Sequence, residues 1–130
     1  MLDYKVKIGL VPDIRNLGDF ATRKGIFEPA KGAERKNVVL KHIKDNFGDE
    51  NTCFVDLEWL NDLGVLYDNA DCEKVCSYLK EEKVDAIFII NCNFGNEEVC
   101  GRLAKEMNLP VLLWGPQDTD FEKDGMRYTD

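Results

Sequence analysis

The chain of 130 residues carries 25 acidic against 17 basic residues, a net charge of −8, and is 44% hydrophobic. That length suits one domain able to bury roughly two-thirds of its unfolded surface, so folding needs no disulfide or metal staple. The acidic balance disfavours nucleic acid and anionic membrane as partners, and no apolar run approaches the roughly 18 residues of a membrane span.

The opening "MLDYKVKIGL" lacks the long apolar core of a signal peptide, so a cytoplasmic chain is expected. Five cysteines, an odd number without CxxC spacing, argue against a disulfide framework and against a zinc cluster. Reduced thiols fit the same compartment.

Taken in chain order, "KVKIGLV" (Lys5 to Val11) is rich in β-branched residues and stops at Pro12, which reads as a first strand. Basic residues are frequent from Arg23 to Lys44, and they read as a solvated helix face rather than an anion site. "AERKNVVLKHIKDNFG" places Val39, Ile43 and Phe47 at intervals of four beside Leu40, a helix closed by Gly48. Thr52 to Asp56 form a second short strand. Cys72, Val75, Cys76 and Leu79 at i, i+3, i+4 and i+7 give a second helix, capped by Asn69 or Asp71.

"AIFII" is the third strand. A helix capped by Asn96 follows, burying Val99, Cys100, Leu103, Ala104 and Met107, and "LPVLLWGP" is the fourth strand. Strands three and four are apolar on both faces, the pattern of a sheet covered by helices on both sides. The tail "GPQDTDFEKDGMRYTD" has turn chemistry at Asp124 and Gly125 but no further helix or strand. Either it covers a sheet edge, or the sequence is a piece of a longer chain.

The order βαβαβαβ implies a three-layer, Rossmann-like α/β domain spanning residues 1–130, its parallel sheet of about four strands in the flavodoxin-like order 2-1-3-4. Ligands of such sheets bind beyond the carboxyl ends of the strands. Those ends read "PDIRNLGDF", "LEW", "NCNFGNEE" and "GPQD". No GxGxxG or Walker A loop is present, so neither a dinucleotide nor a nucleotide phosphate is indicated. A phosphate on the third helix would meet Glu97 and Glu98. A phosphorelay receiver needs an acceptor Asp where Asn91 stands.

Asp13, Arg15, Asn91, Asn93, Asn96 and Gln117, with Phe94 and Trp114, suit a neutral polyhydroxylated ligand. Other groups read as structural. His42 is a surface or packing residue, and Cys72, Cys76 and Cys100 lie on buried stripes. Cys92 sits in the cleft without a neighbouring His and reads as inert. Asp56 and Glu58 could cap, turn or bind, and Trp114 could plug the sheet as readily as touch a ligand.

At "KIGLVPDIR", "INCNFGNEE" and above all "LPVLLWGPQD" followed by "DGMRYTD", the chain resembles the N-terminal domain of the L-fucose and L-arabinose isomerase family. The resemblance implies an aldose–ketose isomerase, cytoplasmic and oligomeric, assisted by Mn²⁺ that the later domains bind. It also implies that loops after strands one and three help cover a sugar site, with Arg15 on the sugar hydroxyls and Cys92, Asn93 and Phe94 in the turn that forms an aromatic wall. The Trp expected in that turn is replaced by smaller residues.

The sequence therefore reads as a substrate-covering and assembly lobe whose substrate-binding residues are Arg15, Asn91, Cys92, Asn93, Phe94 and Gln117. It holds no catalytic residue or metal ligand of its own. Its expected partners are a small sugar, the remaining domains of the same protein and further copies of it. The competing class is a stand-alone flavodoxin-like binding or regulatory module without catalysis.

Overall fold

The structure, a computed structural model, describes residues 4–15 and 29–117. Its elements are β1 (Val6–Asp13), α1 (Pro29–Phe47), β2 (Thr52–Val55), a 3₁₀ turn (Asn69–Asp71), α2 (Cys72–Glu81), β3 (Ala86–Asn91), α3 (Glu97–Met107) and β4 (Val111–Trp114). The four strands form one parallel sheet in the order β2-β1-β3-β4, as expected. The tail turn at Asp124 and Gly125 lies outside the described residues.

Two apolar clusters flank the sheet and define three layers. On one face Val75, Leu79, Val99, Leu103 and Met107 of α2 and α3 meet Val11, Ile87 and Ile89. On the other, Leu40 and Ile43 of α1 meet Leu10, Ile14, Ile90 and Cys92. Each such aliphatic side chain taken from water contributes about 1.5–3 kcal/mol, so the stripes at helical spacing are what fasten the helices to the sheet.

β1 runs past Pro12 to Asp13, two residues beyond the sequence reading. β2 stops opposite Gly9, so the missing N–H of Pro12 leaves no partner on that side unpaired. The Pro12 carbonyl instead accepts from the Leu66 N–H at 2.8 Å, and Ile14 donates to the Leu66 carbonyl at 3.1 Å. The segment after β2 thus extends the sheet edge and holds the end of β1 in place.

The helix ends follow local chemistry with two adjustments. Asn96 caps α3 by accepting from the Val99 N–H, and Asn108 closes it in the left-handed region at φ 51°. Ahead of α2, Asp68 caps the 3₁₀ turn through the Ala70 N–H, while Asp71 occupies the helix cap position without a side-chain bond. Gly48 follows α1 without a left-handed φ. Its lack of a Cβ matters because one would lie 2.8 Å from the Lys44 carbonyl.

Two expectations fail. β4 is not covered on both faces: Val111, Leu112 and Leu113 are 40%, 60% and 62% exposed. Its apolar character is real, yet of its four residues only Trp114 packs against the α1-side cluster. And Lys36, read as part of a solvated face, is 3% exposed. It donates to the Glu58 carboxylate at 2.7 Å and to the Leu63 carbonyl at 2.8 Å. Gly64, at φ 64°, leaves room for this pair, since a Cβ there would lie 2.7 Å from Glu58 and 2.9 Å from the ammonium. Asp56 and Glu58 therefore serve as anchors for α1, Asp56 accepting from Lys44 at 2.7 Å.

The Lys36–Glu58 pair is asymmetric, a buried cation against a carboxylate that is 55% exposed. Glu58→Ala leaves a desolvated ammonium behind and should cost about 2–3 kcal/mol. Lys36→Met leaves a solvated carboxylate and should cost less. Urea unfolding of the two variants checks the order, and equal losses would contradict it.

Candidate functional site

The β1–β3 register ends with Asp13 opposite Asn91, which brings the two loops that follow into contact. The Asn93 side-chain oxygen accepts the Arg15 N–H at 2.8 Å and the Gly95 N–H at 3.0 Å. Two N–H donors converging on one atom require an oxygen there, which fixes the orientation of this amide. Asn93 is 5% exposed, and its NH₂ group has no hydrogen-bond partner among the described residues. That nitrogen faces Gly32 of α1, 3.9 Å from where a Cβ would stand.

Asp13 is fully buried beneath the same turn. One carboxylate oxygen accepts the Asn96 N–H at 2.6 Å, and the other has no hydrogen-bond donor within reach among the described residues. Gly95 turns the chain at φ 74°, where a Cβ would lie 2.8 Å from the Asn91 side-chain oxygen and 3.1 Å from Asp13. A residue other than glycine would meet both strain and contact there. Asn96 also donates from its amide to the Tyr67 carbonyl at 3.0 Å, tying the start of α3 to the loop before α2.

Arg15 lies across this turn. Its Nε donates to the Gly95 carbonyl at 2.9 Å, and an Nη donates to Glu97. The guanidinium carbon stands 5.0 Å from the centroid of the Phe94 ring, within cation–π range. Phe94 is 52% exposed. Beside it opens a recess of ≈ 280 Å³ between α3 and the β4 flank, lined by Asn91, Asn96, Glu97, Ile89, Val111 and Leu113 among others. That is near the lower end of the ~300–1,000 Å³ of small-molecule sites.

Electrostatics divide the rim into inert and responsive groups. Burial first, then the Asp13 charge, pushes the Cys92 thiol up to about 12, and its Sγ points back to the Ile90 carbonyl at 3.4 Å. It is a small core residue, not a nucleophile. Glu97 is held below its usual value, first by its own backbone N–H and then by Arg15. Asp13 is raised to about 6, chiefly by burial; the Asn96 N–H, the Cys100 thiol and the Arg15 charge pull downward without cancelling it.

Of the six binding residues expected, Arg15, Asn93 and Phe94 come together directly, and Asn91 lies beside them against Gly95. Cys92 is in the turn but fully buried. Gln117 is exposed past the end of β4, and no hydrogen bond joins it to Arg15 or Asn93. Trp114 packs on the α1 side of the sheet with Phe88 and Phe54, away from the recess. Sequence reasoning missed Gly95 as the pivot of the turn and Glu97 as the partner of Arg15. The glycine between "NCNF" and the Asn96 cap was the available signal for the first, and the 82-residue separation hid the second.

These features define a parallel α/β domain with a polar turn and an apolar-walled recess at the carboxyl end of its sheet. The chain belongs to the family described as fucose/sulfoquinovose isomerase, N-terminal domain, whose profile matches residues 18–130. The match begins after β1, so Asp13 and Arg15 lie outside it, whereas Asn91, Cys92, Asn93, Phe94 and Gln117 lie within. Neither the curated proteins nor the solved structures give a significant match.

Asp13 carries a pH prediction. Its folded value lies above its ordinary 3.8, so stability from this group is full below that value and is lost as pH rises toward about 6. The loss at neutral pH is about 2–3 kcal/mol. Asp13→Asn keeps an oxygen for Asn96 and removes the charge. Relative to the parent it should gain stability progressively across that interval, measured by urea unfolding at stepped pH; parallel profiles would contradict the assignment.

Proposed function

We propose that this chain is the substrate-covering and assembly lobe of a metal-dependent aldose–ketose isomerase acting on L-fucose, L-arabinose or a related sugar. Family membership supports the isomerase class. The observation that carries the covering role is the exposed Phe94 ring, held by Arg15 at the mouth of a recess bordered by side-chain amides. An aromatic face accepts the C–H side of a sugar ring, while amides and a guanidinium exchange hydrogen bonds with hydroxyls.

On this reading the turn binds, orients and shields. Arg15 and Asn91 address hydroxyls, Asn93 holds the two strand ends at fixed separation, and Phe94 excludes water from one side of the substrate. Gln117 belongs to the same rim from the β4 side. The hydrogen shift between C1 and C2 would fall to residues outside this chain, where a bound divalent cation would supply Lewis-acid chemistry and a carboxylate would move the proton.

The Mn²⁺ expected for such an enzyme prefers oxygen ligands, and the rim does not fit it. Asp13 is buried against Asn96, and Glu97 is paired with Arg15. Mn²⁺ is accordingly assigned to residues outside this chain, in line with the family description of an N-terminal domain.

The assembly role rests on the β4 flank. Three consecutive exposed apolar residues on a strand that ends the sheet among the described residues are unusual for a surface that stays in water. A further apolar groove of ≈ 650 Å³ lies on the α1 side, lined by Phe54, Phe88, Leu112 and Trp114 among others. We assign this flank to the remaining domains of the isomerase, with association into a homo-oligomer and a cytoplasmic setting following from the same reading.

In the intact isomerase Arg15→Ala should raise KM about 10- to 100-fold with little change in kcat, corresponding to about 1.5–3 kcal/mol for a charged donor. Steady-state kinetics on the sugar read this out. An unchanged KM would remove Arg15 from the substrate.

A further inference from the structure

Away from the rim, α2 and α3 bring three potential ligands together. The Sγ atoms of Cys72 and Cys76 and a carboxylate oxygen of Glu106 all lie within 4.8 Å of one another. We propose that Cys72, Cys76 and Glu106 form a binding site for a thiophilic divalent cation of the Zn²⁺ or Cd²⁺ class, which bridges α2 to α3.

The geometry follows from two helices. The i, i+4 spacing stacks the two thiols on one side of α2, and Glu106 reaches them from the last turn of α3. In a tetrahedral zinc site with bonds of about 2.3 Å, two sulfurs stand roughly 3.8 Å apart. The observed grouping therefore needs a contraction of no more than about 1 Å, within reach of small side-chain rotations. The absence of CxxC spacing hides this arrangement in the sequence, because the third ligand comes from another helix.

The chemistry selects the ion. Two sulfurs and one carboxylate favour zinc and its thiophilic relatives over Mg²⁺, Ca²⁺ or Mn²⁺, so this site is distinct from the metal assigned to catalysis. Cys72 is fully buried and Cys76 is 2% exposed, whereas the Glu106 side chain is 36% exposed. A cation enters from the Glu106 side and leaves its fourth position facing solvent. Arg102 donates to one Glu106 oxygen at 3.0 Å, so a cation bound here would share this carboxylate with the guanidinium or displace it.

Binding replaces two S–H bonds by two metal–sulfur bonds and releases two protons, with no redox change. Burial, the neighbouring Cys72 and Glu106 push the Cys76 thiol up to about 12, so without a cation both thiols stay protonated and neutral. The requirement to displace these protons excludes cations that bind sulfur weakly.

The test is a Cd²⁺ titration of the full, reduced chain followed by the ultraviolet thiolate-to-cadmium band. It is run in a Cys53→Ser background, because Cys53 is the exposed thiol among the described residues. One equivalent should bind with the band intensity of two thiolates. Cys76→Ser should halve the band and lower affinity about 10-fold or more. Glu106→Gln, at a partly exposed position, should lower affinity about 10-fold and reduce the rise in melting temperature that Cd²⁺ gives the parent. No band with excess Cd²⁺, or binding in the Glu106→Gln and Cys76→Ser variants as strong as in the parent, would overturn the proposal.

Discussion

One buried amide oxygen organises the carboxyl edge of this sheet. Asn93 accepts a backbone N–H from Arg15, two residues after β1, and another from the turn before α3, so two loops nearly eighty residues apart in sequence share one acceptor. Buried N–H groups must find partners or cost the fold about 1–3 kcal/mol each, and here a single side chain satisfies both. Arg15 can then reach over the Gly95 carbonyl to Glu97 and lie on the Phe94 ring only because its backbone is held there. Removing the oxygen would free the loop after β1, release the guanidinium and let the aromatic ring swing away.

Beneath that bond sits a charge in an unfavourable place. Asp13 serves the Asn96 N–H with one oxygen, and the other has no hydrogen-bond donor within reach among the described residues. The arrangement trades stability near neutral pH for a fixed start to α3, a trade common where a turn is built for binding rather than for packing. The opposite flank shows a different kind of incompleteness. β4 stands at the end of the sheet order and exposes three apolar residues, Val111 to Leu113.

Much of the architecture was legible because periodicity and apolar runs report burial. The stripe Cys72–Val75–Cys76–Leu79 and the run Ala86–Ile90 led directly to α2 and β3, and Asn96 announced the start of α3. The parallel order 2-1-3-4 followed from crossover length and fold regularity. What burial patterns do not report is the identity of the covering surface. Val111 to Leu113 read as core, yet no described helix lies over them.

Long-range polar pairing was equally hidden. Lys36 in a basic stretch has nothing in its neighbours to distinguish it from Lys41, and only Glu58 and the Leu63 carbonyl, brought in by the segment after β2, make it a core residue. At the candidate site, residue types pointed to this turn but not to the division of labour within it. Asn93 serves as the internal tie, Cys92 faces the core, and Phe94 alone of the three is exposed.

Amide hydrogen exchange at Arg15 and Gly95 tests the central tie most directly. Both N–H groups should be protected in the native chain and should lose protection together in Asn93→Ala, while amides in the middle of β3 keep theirs. An Arg15 amide that exchanges at the rate of an open loop in the unmutated chain, or one that stays protected without the Asn93 oxygen, would contradict a carboxyl edge organised by that side chain.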